Sequence, residues 1–175
     1  EFHDGYPGVA APGVSNNAYT NIMTVWLLRH VLELVESLRR EDHDDVLDRL
    51  EVTDEELARF RAITTRMYVP FHGRGIISQF DGYDRLAEFD LAAYRARYGD
   101  IGRLDLILAA EGDSPNRYQV GKQADVLMLL YLLSAEELRE LLAGLGYSWP
   151  AAALRRTVDY YTARVSHGST LSRVV

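Results

Sequence analysis

Cysteine is absent from the 175 residues of the chain. Disulfide bonds and thiolate metal ligands are therefore excluded, and cysteine usage gives no information on the redox compartment. The five histidines are scattered, without the paired spacing that a zinc site requires. We therefore expect no resident cofactor and no metal site.

Basic residues are in the minority, with 19 Lys and Arg against 26 Asp and Glu and a formal net charge of -7. This balance disfavours binding to nucleic-acid phosphates or to anionic lipid. Long apolar runs are missing as well, since the longest, "ADVLMLLYLL", has about ten residues where a membrane helix needs about twenty. We predict no nucleic-acid partner and no membrane partner, and we expect a cytoplasmic protein.

The first residues lack an initiator Met and the apolar centre of a signal peptide. The opening "EFHDGYPGVAAPGVS" contains three Gly and two Pro, which favour an extended loop rich in turns. A hydrophobic content of 47% is ample for the core of one domain. We expect the chain to be one piece of a longer protein.

Helical periodicity dominates after this loop. Apolar residues recur at intervals of three and four from Asn16 to about Arg40. "TDEE" at 53–56 and "SAEE" at 134–137 are capping boxes, whose hydroxyl and carboxylate bind free backbone N–H groups at a helix start. Further helices are predicted over "DIGRLDLILAA", "GKQADVLMLLYLL", "AEELRELLAGLGY" and "WPAAALRRTVDYYTARV", the last capped by Ser148.

The segment "GKQADVLMLLYLL" is apolar on nearly all sides, which predicts an interior helix. Amphipathic helices alternate with such buried ones, and no strand alternation of any length appears. The predicted fold class is all-α, with two layers of helices and a long irregular connection over "YVPFHGRGIISQFDGYDRL".

The stretch "HGSTLS" near the end of the chain suits an anion, because hydroxyls and backbone N–H groups converge where a helix begins. His167 would add a donor beside Ser169. The competing interpretation makes Ser169 an ordinary helix cap and His167 a loop residue. Lys122 and Gln123 precede the apolar helix, where they face either a polar cavity or solvent.

Three other stretches carry polar groups that suit a sugar or a proton transfer. Glu1 stands before an aromatic residue and a His, so it is either an acid against an apolar wall or an exposed terminal residue. "NNAYTN" offers neutral hydrogen-bonding groups for sugar hydroxyls, although Asn16 or Asn17 also fits a helix cap. "QFDGYDRL" offers polar and stacking contacts for a carbohydrate, or is a solvated acidic loop.

Taken in order, "EFHDGYPG", "NNAYTN", "PFH", "ISQFDGYDRL", "NRYQVGKQADVLMLLYLL" and "HGSTLS" resemble the catalytic domain of glycoside hydrolase family 65. This family contains inverting phosphorylases of α-linked glucose disaccharides such as trehalose, maltose and kojibiose. The resemblance implies the later half of a helical (α/α)6 toroid with long irregular loops. It also implies that a β-sandwich domain and the early toroid helices precede residues 1–175 in the full-length protein.

The resemblance also implies roles for single residues. Glu1 matches the family's proton donor, since "EFH" matches the last three positions of a Gly-Pro-Asp-Glu-aromatic-His motif. Lys122 and Gln123 match the pair that faces the glucose of the cleaved bond, and Asn17 is expected to bind substrate. The phosphate loop of the family corresponds to His167, Ser169 and Thr170.

Two positions depart from the family pattern. Ser15 stands where many relatives have an Asp, and "HGRG" at 72–75 lacks the acidic residue that is common after the His. Both departures affect the expected substrate preference rather than the type of reaction.

A phosphorylase needs one carboxylic acid rather than the two of an inverting hydrolase, because phosphate is already an anionic nucleophile. The expected reaction is phosphorolysis of an α-linked glucose disaccharide to β-glucose 1-phosphate and a free sugar, with inorganic phosphate as co-substrate. The full-length enzyme is expected to be a homodimer, as family members commonly are. The isolated chain is expected to be inactive, because part of a toroid leaves half of the sugar site unmade. The alternatives are a trehalose-type hydrolase on the same scaffold and a non-catalytic helical interaction module.

Overall fold

The computed structural model describes residues 2–122 and 124–166. Helices account for 57% and strands for 6%, which confirms the predicted all-α class and is compatible with part of a helical toroid. The α-helices are α1 (Ala18–Arg40), α2 (Asp44–Arg49), α3 (Asp54–Arg66), α4 (Leu91–Tyr98), α5 (Leu104–Ala110), α6 (Asp125–Leu132), α7 (Ala135–Gly144) and α8 (Ala151–Thr162). Short 3-10 helices cover Tyr83–Arg85 and Pro115–Arg117.

The two predicted capping boxes begin helices. Thr53 Oγ1 accepts a hydrogen bond of 3.2 Å from the backbone N–H of Glu56 at the start of α3, and Ser134 Oγ accepts one of 3.1 Å from Glu137 at the start of α7. Each bond satisfies an N–H that has no partner inside the helix. These two helix starts are therefore confirmed.

The main core lies where α1, α6, α7 and α8 meet. Its fully buried side chains share aliphatic or aromatic character and include Ile22, Val25, Phe80, Leu129, Leu138, Leu142 and Tyr161. Burial of each large side chain of this kind contributes about 1.5–3 kcal/mol. A second cluster around Leu104 and Leu108 packs against Phe2, and a third joins α1, α2 and α3 through Val35, Leu47 and Leu57.

A short hairpin stands in the long connection after α3. Strands β1 (Phe71–His72) and β2 (Ile76–Ile77) pair antiparallel, with Phe71 opposite Ile77 and His72 opposite Ile76. The sequence did not predict this hairpin, because two residues per strand are too few to show a period of two. Helices α2 and α4 were not predicted either; each buries one residue, Leu47 and Leu91 respectively, too few to show a periodic face.

Two sequence predictions were wrong. Helix α8 begins after Pro150, which is its N-cap residue and makes no side-chain capping bond, so Ser148 is not the cap. Helix α6 is not wholly interior, because Tyr131 is 61% exposed and Leu132 46% exposed. A face of this helix is therefore open in the part of the chain that the structure describes.

Within the described residues, none of the helices combines the length and apolar character that crossing a bilayer requires. The same residues hold no group of three or more His, Asp or Glu side chains placed to bind a metal ion.

Candidate active site

The chain from Tyr118 to Lys122, called here the site segment, connects the stretches that carry the predicted site residues. On one side, the backbone N–H of Gln119 donates to the carbonyl oxygen of Ala87 at 2.7 Å. On the other side, Gly121 pairs in parallel with Val165, so its N–H donates to Arg164 O at 3.0 Å. The site segment is therefore held between two distant parts of the chain.

The N-terminal loop is attached to the site segment by His3. The His3 Nε2 atom lies 2.9 Å from the carbonyl oxygen of Tyr118. Since a carbonyl oxygen only accepts, Nε2 carries the proton and donates it. The Phe80 and Tyr83 rings also contact the His3 ring in T-shaped arrangements, at centroid distances of 5.1 and 5.7 Å. The "EFH" stretch is thus fixed beside the site segment from its second residue onward.

Asp4 adds a second attachment for the same loop. Its backbone N–H donates to Asn116 Oδ1 at 3.1 Å, and Asn116 Nδ2 donates to Asp4 Oδ1 at 2.5 Å. This reciprocal pair attaches the N-terminal loop to Asn116, which stands two residues before the site segment. Glu1, the predicted proton donor, lies outside the described residues.

Asn17 both caps a helix and reaches the start of a second one. Its Oδ1 accepts a hydrogen bond of 2.9 Å from the N–H of Thr20 in α1, which confirms the capping interpretation. Its Nδ2 donates to Asp125 Oδ2 in α6 at 3.1 Å. An amide nitrogen has two protons and an amide oxygen has two lone pairs, so Asn17 retains capacity for a ligand. The starts of α1 and α6 are therefore joined by one side chain.

Lys122 is half-buried at the end of the site segment. The backbone N–H of Ser166 donates to Gly121 O at 2.9 Å, so Ser166 lies beside the residue that precedes Lys122. In the sequence, Gln123 follows Gly121 by two residues and His167 directly follows Ser166. Gln123, His167, Ser169 and Thr170 lie outside the described residues.

Sequence reasoning missed the polar layer that surrounds the side chain of Gln119 in the site segment. Gln119 is buried, and its Nε2 donates to Leu86 O at 2.7 Å and to Asp84 O at 3.1 Å. Its Oε1 accepts from the hydroxyl of Tyr160 in α8. Burial raises the pKa of Tyr160 to about 12, so this hydroxyl keeps its proton. The only signal for this layer in the sequence was Gln119 in the "NRYQVGKQ" stretch, and that residue alone does not show which groups it bonds to.

Arg164, two residues after the end of α8, packs on the same group of side chains. Its guanidinium lies 3.8 Å above the centroid of the Tyr160 ring and forms a 2.6 Å ion pair with Glu88. Asp125, the partner of Asn17, was also missed, although it stands in the quoted "KQADV" stretch. Tyr160 therefore holds the site segment through the side chain of Gln119, and Arg164 holds it through the N–H of Gly121.

The ring of His72 contacts the Tyr160 ring at a centroid distance of 4.8 Å, and its Nδ1 atom lies 2.6 Å from Ser78 Oγ. Burial lowers the pKa of His72 from its usual value, while Asp84 opposes and Arg164 reinforces the shift. A folded pKa below the unfolded value of about 6.5 means that the unfolded state binds the proton more readily. Stability from this group is therefore full above pH 6.5 and is lost as the pH falls through the folded pKa.

We expect His72→Phe to flatten the fall in thermal midpoint of the full-length protein below about pH 6.5, because the variant removes this proton uptake. The measurement is the thermal midpoint at closely spaced pH values. His43→Asn is the matched control, since His43 is exposed at the start of α2. An unchanged slope in His72→Phe, or an equal change in the control, would contradict the expectation.

The family model of the glycosyl hydrolase family 65 central catalytic domain matches residues 1–175. The chain therefore belongs to this family, as the ordered motifs implied.

Curated relatives extend this result. The chain is 54% identical over 175 residues to an uncharacterized glycosyl hydrolase of Mycobacterium tuberculosis, covering 100% of the chain and 13% of the relative. It is 42% identical over 175 residues to trehalose 6-phosphate phosphorylase of Lactococcus lactis, covering 100% of the chain and 21% of that enzyme. It is 31% identical over 163 residues to kojibiose phosphorylase of Halothermothrix orenii, covering 91% of the chain and 19% of the enzyme. The chain thus spans about a fifth or less of the length of these relatives.

Proposed function

We propose that the full-length protein containing this chain cleaves an α-linked glucose disaccharide with inorganic phosphate and inverts the anomeric carbon. The products are β-glucose 1-phosphate and a free sugar. The observation that carries this proposal is the pair of contacts on the site segment, His3 to Tyr118 and Ser166 to Gly121. They bring together residues that lie one or two positions in the chain from Glu1, Gln123 and His167. Relatives named as phosphorylases support the same reaction class.

The proposed division of roles follows from the chemistry. Glu1 gives its proton to the glycosidic oxygen as the bond from that oxygen to the anomeric carbon breaks. A phosphate oxygen forms the new bond on the opposite face of the glucose ring. His167, Ser169 and Thr170 hold the phosphate in line, where positioning supplies much of the rate enhancement. No second carboxylate is required, because phosphate needs no base to attack.

Substrate contacts are proposed for the residues at the two joined helix starts. Asn17 and Gln123 offer neutral donors and acceptors that match sugar hydroxyls. Lys122 offers a positively charged donor at the end of the site segment. The Asn17 to Asp125 hydrogen bond of 3.1 Å supports this assignment, since it fixes the orientation of the Asn17 amide.

We also propose that residues 1–175 form the later part of an (α/α)6 toroid whose other helices, and a β-sandwich domain, lie elsewhere in the full-length protein. The open apolar face of α6 and α8 supports this division. Leu127, Leu130, Tyr131 and Val158 line a cleft there, together with Thr162. A surface of this kind packs against another apolar element more favourably than against water.

Dependence on phosphate is the test of the proposed function. The purified full-length protein would be incubated with trehalose, trehalose 6-phosphate, maltose or kojibiose, with and without phosphate. We expect cleavage only with phosphate, and β-glucose 1-phosphate in equal amount to the released sugar, with the anomer read by proton NMR. Glucose released without phosphate would favour the hydrolase, and no cleavage of any substrate would favour a non-catalytic helical module.

A further inference from the structure

The turn of the β1–β2 hairpin carries Arg74, and its backbone accepts two hydrogen bonds from the side chain of Arg156. The Nε and Nη2 atoms of Arg156 in α8 donate to the carbonyl oxygen of Arg74, at 3.0 and 2.5 Å. Two other arginines on this side of the fold do have carboxylate partners. Arg155 lies 3.7 Å from Asp159, and Arg164 pairs with Glu88. Among the residues that the structure describes, no carboxylate forms an ion pair with Arg74 or Arg156. An uncompensated pair of positive charges in a chain of net charge -7 is a local attraction for an anion.

The turn that carries Arg74 is held from two sides. Trp149 Nε1 donates to the carbonyl oxygen of Gly75 at 2.9 Å. Gly75 has a φ of +82°, which favours glycine, and a Cβ at this position would lie 3.4 Å from the Ala153 side chain. The turn is thus packed on α8 with a defined backbone. The guanidinium of Arg156 is held on this turn by its two bonds to Arg74 O, whereas the Arg74 side chain is exposed. A fixed position of the Arg156 charge lowers the entropy that a ligand would lose on binding.

The hairpin stands at the border of the candidate active site. Asn21 Nδ2 donates to Tyr68 O at 2.8 Å before the hairpin, and the N–H of Ala18 donates to Gln79 O at 3.0 Å after it. Both ends of this connection are therefore attached to the first turn of α1, beside Asn17. The residues that flank the hairpin are therefore bonded to the same helix start that we propose to contact the sugar.

The other side of the hairpin leads to the site segment. The hydroxyl of Tyr161 donates to Ile77 O at 2.8 Å, and the Tyr160 ring contacts the His72 ring. Tyr160 is bonded to Gln119 in the site segment. Arg156 precedes Tyr160 by one helical turn, which is roughly 5.4 Å along the axis. Arg156 therefore lies one turn of α8 before the residue that bonds to the site segment.

We propose that Arg74 and Arg156 bind the ester phosphate of a phosphorylated disaccharide, with the ester on the sugar that is released. This inference rests on the proposed function. A phosphate monoester carries about two negative charges and oxygen acceptors, and the planar guanidinium of arginine matches this geometry with paired N–H donors. An uncharged disaccharide offers the pair only hydroxyl acceptors, which form weaker bonds than a charged phosphate ester. The absence of the acidic residue after His72, noted in the sequence, removes a negative charge that would repel such an ester.

The ester takes no part in the chemical step. The glycosidic bond breaks, inorganic phosphate forms the new bond to the anomeric carbon, and the proton goes to the leaving oxygen. For trehalose 6-phosphate the products are β-glucose 1-phosphate and glucose 6-phosphate. The arginine pair therefore contributes to recognition of the substrate and not to the reaction itself.

The test compares trehalose 6-phosphate with trehalose on the full-length enzyme. We expect the unaltered enzyme to have the higher kcat/KM for the phosphorylated sugar. Arg74→Gln and Arg156→Gln should each lower that value by roughly 10- to 100-fold, mainly through KM, because each removes a charge-assisted contact. The kcat/KM for trehalose should stay within about twofold. Arg155→Gln is the matched control, one residue away on α8 and already paired with Asp159.

An equal loss on both sugars, or no preference for the phosphorylated sugar in the unaltered enzyme, would overturn the proposal. Arg74→Gln is the decisive variant, because the Arg74 side chain is exposed and its removal leaves the contacts of the turn intact. Calorimetric binding of the same two sugars needs no turnover. It therefore tests whether the arginine pair binds the phosphorylated sugar, even if the enzyme shows no phosphorolysis and the proposed function is refuted.

Discussion

Replacing Glu1 by Gln in the full-length enzyme is expected to lower kcat for the disaccharide by roughly 10²–10⁴-fold, the usual contribution of a general acid. Gln has nearly the shape of Glu and keeps a hydrogen bond to the sugar, but it has no proton to give to the leaving oxygen. Disaccharide binding should stay within a few fold, which calorimetry would show. The rate is measured as β-glucose 1-phosphate formed per active site.

A substrate whose leaving group needs no proton separates the acid from a structural role. α-Glucosyl fluoride loses fluoride without protonation, so Glu1→Gln should react with phosphate and this substrate at a rate close to that of the unaltered enzyme. Glu41→Gln is the control, because Glu41 is exposed at the C-terminal end of α1. Loss of activity on the fluoride as well, or unchanged turnover of the disaccharide, would remove Glu1 from the acid role.

Helices that carry their own start signals were predictable from the sequence. The hydroxyl of Thr53 and the hydroxyl of Ser134 cap α3 and α7 as the local pattern required, since a capping box involves residues only three apart. The start of α8 was not predictable in this way, because Pro150 ends the preceding loop without a side-chain bond. The exposure of Tyr131 also could not be predicted, since an apolar helix shows its need for burial but not which element provides it.

The candidate site was predictable as a set of motifs but not as an arrangement. Asn17, Lys122 and "EFH" were identified from residue type and order. Their connection depends on bonds between residues far apart in the chain, such as His3 to Tyr118 across 115 positions and Asn17 to Asp125 across 108. A single sequence contains no period or spacing that reports such pairs. The supporting layer at Gln119 was missed for this reason.

Gln119→Leu is expected to destabilise the protein by about 3 kcal/mol or more. Leu has a similar volume, so little cavity forms, but the side chain of Gln119 is the partner of three polar groups in a site that is only 7% exposed. The carbonyl groups of Asp84 and Leu86 and the hydroxyl of Tyr160 would each lose a hydrogen bond. A buried group left without a partner costs about 1–3 kcal/mol. The measurement is the thermal midpoint of the full-length protein, with kcat/KM in parallel.

Tyr160→Phe makes the origin of this effect testable. The single change removes one of the three bonds and should cost less than Gln119→Leu. In the double variant, the hydroxyl that Gln119→Leu would leave unpaired is already gone, so the combined loss should be smaller than the sum by roughly 0.5–3 kcal/mol. Strict additivity would show that Tyr160 and Gln119 act independently. It would also mean that α8 does not hold the site segment through this bond, and that the backbone pairings of the segment, such as Gly121 with Val165, position Lys122 instead.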